Sequence, residues 1–131
     1  MILLDTHVLL WMVSEPRRLS RVAEREILKA QRQRSCAIAS ISLWELAALF
    51  GKNRLRGAAS VENSIRDILD DTGVKVLEIT PEIADLTTAF PETYPKDPGD
   101  RLIGATARAY GLTLITQDQR ILECPLVRAV W

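Results

Sequence analysis

Short apolar runs alternate along this chain with longer stretches in which apolar residues recur every third or fourth position. ILL at 2–4 reads as a buried strand, and THVLLWMV after Asp5 continues as a helix that Pro16 closes. Ser20 is placed to cap a helix whose Val22, Ala23, Ile27 and Ala30 recur at helical spacing. CAIA at 36–39 is a second strand, and Ser42 starts a helix, SLWELAALFGK, that stops near Gly51. Beyond the basic loop from Asn53 to Gly57, Ser60 caps a short helix with Val61, Ile65, Ile68 and Leu69 on one face. Val74 to Ile79 is a third strand. Thr80 as N-cap and Pro81 at the first helical position open TPEIADLTTAF. After YPKDPGD, Leu102 to Tyr110 predicts a largely buried helix, apolar except for the stripe of Arg101 and Arg108, and Gly111 ends it. LTLIT is a fourth strand, Asp118 to Leu122 a turn or two of helix, and LVRAVW a fifth strand.

Strand and helix in repeated alternation predict an α/β fold, with a central parallel sheet of four to five strands and helices on both faces. The chain has 131 residues and no internal repeat or linker, so a single domain over residues 1–131 is expected. With 47% apolar and 26% charged residues it has the balance of a soluble globular protein. MILLDTHVLLWMV is interrupted by Asp5 and His7 and follows no basic segment, so it does not read as a signal peptide. No uninterrupted apolar run approaches the roughly 20 residues that span a bilayer, which argues against a membrane role. Cys36 and Cys124 lack the close spacing of a metal or redox motif and suit a reducing cytoplasm. Net charge is zero but unevenly spread: residues 1–56 hold ten Lys or Arg against five acids, and residues 57–131 hold seven against twelve. Much of the basic excess lies in RRLSRVAEREILKAQRQR and GKNRLR, which read either as a solvated helix face and a loop or as a track for phosphates.

Carboxylates mark the turning points of the pattern. Asp5 follows the first strand, Asp100 opens the long apolar helix, and Asp118 follows LTLIT. Each suits an N-cap beside a helix dipole, and Ser42-x-x-Glu45 has the spacing of a capping box. The four acids also share a second property. In an open parallel sheet, residues beyond the carboxyl ends of the strands converge on one edge, where ligands bind. Two carboxylates about 5 Å apart at an effective dielectric near 20 repel by ~3 kcal/mol, so four together need a counter-charge. With one His and no clustered thiols, an all-oxygen pocket favours Mg²⁺ or Mn²⁺ over Zn²⁺.

In that order over the whole chain, MILLDTHVLLW, SISLWEL, DPGDRLIGATA and LTLITQD closely resemble a PIN-domain ribonuclease, and more narrowly a VapC-type toxin of a bacterial toxin–antitoxin pair. The resemblance implies a PIN-like three-layer fold and assigns the family's acidic quartet, catalytic and metal-binding, to Asp5, Glu45, Asp100 and Asp118. Thr6 and Thr116 match its hydroxyl positions, and Asp97 belongs to the DP half of DPxDR, where it also suits a turn-forming Asp-Pro. The implied activity is Mg²⁺- or Mn²⁺-dependent endoribonucleolysis in the cytoplasm, silenced by a cognate antitoxin protein, in a homodimer. Arg17, Arg18, Arg21, Lys52 and Arg54 are candidates for RNA contact.

Other readings compete. A phospho-acceptor signalling domain also places acids at this sheet edge, but there is no paired acid after the first strand and no Lys-Pro after the fifth. A phosphatase built on D-x-D is opposed by Asp5-Thr6-His7. A catalytically inactive PIN-like RNA-binding or scaffold domain shares the fold, and the complete quartet speaks against it. His7 suits a local role at a helix start, or contact with substrate or a neighbouring carboxylate. Trp11 and Trp44 read as core or subunit packing rather than base stacking, and Trp131 as packing at the end of the last strand.

Overall fold

A computed structural model describes residues 1–52 and 60–131. Five strands, β1 (Ile2–Leu4), β2 (Cys36–Ala39), β3 (Lys75–Leu77), β4 (Thr113–Ile115) and β5 (Ala129–Val130), form one sheet in the order β3-β2-β1-β4-β5. Every pairing is parallel, with Leu3 level with Ala37 on one side and Leu114 on the other. The helices are α1 (Thr6–Ser14), α2 (Arg21–Arg32), α3 (Ile41–Lys52), α4 (Val61–Thr72), α5 (Pro81–Leu86), α6 (Pro98–Tyr110) and α7 (Gln119–Leu122). Pro16, expected to close α1, opens a 3-10 turn over Pro16–Arg18 that links α1 to α2.

The strands are short, and the central β1 and β2 are buried on both sides, so successive residues feed two cores. Ile2, Leu4, Cys36, Ile38 and Ile115 point to one face, where Val8, Leu9, Ala23, Ile27, Leu46 and Ile68 cover them from α1 to α4. Leu3, Ala37, Ala39 and Leu114 point to the other, against Ile103 and Ala107 of α6, Ile121 of α7 and Tyr94. Each fully buried Leu or Ile stabilises the fold by roughly 1.5–3 kcal/mol relative to exposure, which is how three-residue strands hold a sheet.

Local chemistry sets the ends of the helices. Ser20, Ser60 and Thr80 cap α2, α4 and α5, each accepting a hydrogen bond from the backbone N–H three residues on. Gly111 ends α6 at φ 64°, a left-handed conformation that costs glycine little. Strands β3, β4 and β5 are shorter than the runs that predict them.

Two expectations about caps need correcting. Asp97, not Asp100, caps α6: its Oδ2 accepts from the Asp100 N–H at 3.1 Å. The helix starts a turn earlier than Leu102, because Pro98 takes the first helical position, where its missing N–H costs nothing. Nor does Ser42-x-x-Glu45 form a capping box. α3 begins at Ile41, and both side chains turn instead toward Thr6 on α1. Trp44 is also not in the core: it is 68% exposed on α3, whereas Trp11 is buried and packs edge-on against Trp131.

Candidate active site

The strand order changes direction at β1, whose neighbours β2 and β4 are reached by crossovers on opposite sides. A crevice opens at such a point beyond the carboxyl ends of the strands. Here it is a cleft of about 440 Å³ lined by Asp5, His7, Val8, Trp11, Glu45, Asp97, Asp100, Gln117 and Asp118. All four acids of the quartet therefore meet in one place, contributed by the ends of β1 and β4, the second turn of α3 and the first turn of α6, and Asp97 joins them.

A hydroxyl network holds the floor. Asp5 Oδ1 accepts from the Thr6 N–H at 2.8 Å and Oδ2 from the Thr116 hydroxyl at 2.7 Å. Thr116 in turn accepts from the Asp118 N–H at 3.1 Å, which ties the loop after β4 to the end of β1. The Thr6 hydroxyl donates to Glu45 Oε1 at 2.6 Å, and so the Ser42 hydroxyl 2.8 Å away donates to Thr6. Thr6, Ser42 and Thr116 are buried, and the two threonines orient acids from below. Asp118 is partly engaged elsewhere, capping α7 through the Arg120 N–H at 2.9 Å and lying 3.7 Å from the Arg120 guanidinium. Asp100 differs: among the described residues no hydrogen bond uses its carboxylate, so at the third position of α6 it is free to face the cleft.

Electrostatics follow from this crowding. Burial, then Asp5, Asp97, Glu45 and Asp118 in turn, push the Asp100 carboxyl up to about 7. Burial raises Asp5 as well, opposed by the hydrogen bonds from Thr116 and Thr6, and burial raises Glu45 against the Thr6 bond. Tyr94, which sequence reasoning missed, is almost wholly buried, and its hydroxyl donates to the Asp100 carbonyl at 2.7 Å. Burial and the nearby carboxylates hold that phenol protonated well above its ordinary range. Its signal was faint, a lone Tyr between two prolines.

An oxygen-ligated cation suits this donor set. Asp5, Glu45 and Asp100 all bind protons more tightly than free carboxylates, so a divalent charge would relieve them. Gly99 makes room for the acids: a Cβ there would stand 2.6 Å from Glu45 Oε2 and 3.0 Å from Asp97 Oδ2. Among the described residues no three His, Cys, Asp or Glu side chains are gathered tightly enough to enclose an ion as they stand, so the acids line the cleft rather than converge on a point.

The remaining candidates are distributed around this centre. Arg17 and Arg18 are exposed on the 3-10 turn, and the Arg18 guanidinium lies 4.3 Å over the Trp11 ring. Arg21 starts α2, Lys52 ends α3 in solvent, and Arg54 lies outside the described residues. His7 is exposed at the cleft wall with its ring 6.0 Å from that of Trp11, so both reach the site that sequence reading left them beside.

A parallel sheet in this order with an acidic crevice at the reversal defines the class, and the chain belongs to the PIN domain family, which it matches over residues 2–125. It is 39% identical over 120 residues to Ribonuclease VapC22 of Mycobacterium tuberculosis, an overlap covering 92% of this chain and 88% of that protein. Among solved structures it is similar to a toxin-antitoxin complex from Klebsiella pneumoniae, at 25% identity and a TM-score of 0.68, over 100% of this chain and 97% of the other. It also shares its fold with VapBC2 from Rickettsia felis bound to a promoter DNA fragment, at 16% identity and a TM-score of 0.75, over 100% and 99% of the two chains.

Proposed function

We propose that this chain is a metal-dependent endoribonuclease, the cytoplasmic toxin of a toxin–antitoxin pair. The observation that carries the reading is the meeting of Asp5, Glu45, Asp97, Asp100 and Asp118 in one cleft at the sheet reversal, three of them with raised proton affinity. The likeness to a VapC ribonuclease supports RNA as substrate, and the likeness to a toxin-antitoxin complex supports a protein that binds and silences the chain.

In this reading Asp5, Glu45, Asp100 and Asp118 hold Mg²⁺ or Mn²⁺. The ion, when bound, supplies the charge neutralisation and Lewis acidity that in-line hydrolysis of a phosphodiester requires. Thr116 and Thr6 fix the rotamers of Asp5 and Glu45, so these acids lose little freedom on binding. Asp97 holds the first turn of α6 and with it the backbone of Asp100. Arg17, Arg18, Arg21, Lys52 and Arg54 contribute charge for RNA outside the chemistry, and a homodimer extends that surface.

Cleavage of total RNA with Mg²⁺, Mn²⁺ or EDTA is the test, run beside calorimetric titration of each ion. Cleavage that needs the ion and falls by orders of magnitude in Asp5→Asn and Asp100→Asn is expected. Ion binding without cleavage would replace the nuclease with a scaffold. Free, harmless expression of an active chain would remove the toxin role, and a monomer by light scattering at high concentration would remove the dimer.

A further inference from the structure

Helix α2 has two faces of opposite character. Ala23, Ile27 and Ala30 are buried against the sheet, whereas Arg21, Arg25, Lys29 and Arg32 are exposed on the opposite side. At about 100° per residue the four cations fall within roughly 80° of arc. Steps of four, four and three residues separate them by about 4.5–6 Å along the axis, a spacing close to that of successive phosphates in an extended single strand. With Glu24 and Leu28 they line a shallow groove of about 430 Å³.

A solvated helix face usually interleaves acids with bases at four-residue spacing, which stabilises the helix. This stripe does the reverse. Arg21, Arg25 and Lys29 are like charges at successive four-residue steps, a pattern that destabilises an isolated helix. Glu24 is the one acid lining the groove, at the edge of four cations, Glu26 lies outside it, and Arg25 meets Glu26 only at 3.9 Å, with its own side chain 71% exposed. The stripe also continues toward the cleft. Arg17 and Arg18 precede α2 by one turn, and Arg18 stacks on Trp11, which walls the acidic site.

We infer that the outer face of α2 is a phosphate track, along which single-stranded RNA leaving the acidic cleft over Arg18 runs past Arg21, Arg25, Lys29 and Arg32. The inference rests on the proposed ribonuclease reading and adds where the strand lies outside the cleft. Charge complementarity to a polyanion favours RNA here, and the regular spacing suits a repeating backbone better than the irregular acids of a protein segment.

The test uses fluorescein-labelled oligouridylates of 6 and 20 nucleotides, with anisotropy measured from 50 to 300 mM NaCl. It compares Asp100→Asn, which suppresses cleavage, with the same chain also carrying Arg25→Gln, Lys29→Gln and Arg32→Gln. Each lost phosphate contact lowers the slope of log affinity against log salt by about 0.7 for a single strand, so the slope for the 20-mer should shrink by about 2. The 6-mer, held near the cleft, should change much less. Arg25→Lys with Arg32→Lys should keep the parent slope, which separates charge from folding. An unchanged slope for the 20-mer would overturn the track while leaving the nuclease reading intact. So would a triple variant that keeps its slope but no longer binds the antitoxin, which would make the stripe a protein surface. A reduced slope in a chain that never cleaves RNA would keep the track and overturn the nuclease.

Discussion

Replacing Asp100 by Asn should make the metal-free protein more stable, and only above acidic pH. Asp100 gives up no side-chain hydrogen bond among the described residues, and the cap of α6 belongs to Asp97, so the substitution chiefly removes one charge. The carboxyl is raised from 3.8 to about 7 by burial and four neighbouring acids. A shift of that size corresponds to roughly 4 kcal/mol of differential proton binding, which solvent at a half-buried group screens to about 2 kcal/mol. Because the folded value lies above the unfolded one, the stability the group contributes is complete below about pH 4 and is lost as pH rises through about 7. Parent and variant should therefore melt together near pH 4, and the variant should melt higher by roughly 5–10 °C at pH 8. Thermal unfolding followed by circular dichroism in EDTA, from pH 4 to 8.5, measures the gap. A gap that does not change with pH, or a variant less stable at pH 8, would refute the idea that Asp100 is held in a repulsive cluster.

Other consequences are open to direct measurement. Mg²⁺ or Mn²⁺ at 100 times its dissociation constant should stabilise the parent by about 2.7 kcal/mol, and Asp5→Asn far less; melting curves with and without ion decide this. Thr116→Val should weaken cleavage and lower stability by about 1–3 kcal/mol, since it removes the hydrogen bond that fixes Asp5 and the acceptor of the Asp118 N–H; equal activity in both proteins would show that the orientation is irrelevant. Gly104→Ala should destabilise by about 1–3 kcal/mol, because the added Cβ collides with the Tyr94 hydroxyl and meets the Phe90 ring at 3.0 Å; chemical denaturation reads the loss. Cys36 is buried and its thiol is pushed up to about 11, so at pH 8 it should resist thiol reagents until the protein unfolds; rapid labelling of the native chain would contradict this.

Much of this protein is legible in order of residues alone. Apolar runs of three or four residues, separated by helical periodicity, are enough to set alternating strands and helices, because each strand must bury both faces and each helix one. Ser20, Ser60, Thr80-Pro81 and Gly111 fix helix ends through bonds that reach no further than a turn, so their roles follow from neighbours in sequence. Asp5 and Asp118 could be placed at strand ends and Asp100 at a helix start for the same reason. What each acid does there depends on partners far along the chain. Thr6 meets Glu45 across 39 residues and Thr116 meets Asp5 across 111, and only the packing of α3 and β4 beside β1 brings those pairs within hydrogen-bond distance. Local spacing suggested a capping box for Ser42 and Glu45 and a cap for Asp100; tertiary contacts overrode the first, and a neighbouring local cap overrode the second. The buried threonine hydroxyls took the first pair, and Asp97 released Asp100. Tyr94 and Gly99 carried little local signal, because one acts by filling space beneath α6 and the other by leaving it empty. Periodicity is a property of neighbours in the chain, whereas the charge, burial and orientation of a site are properties of neighbours in space.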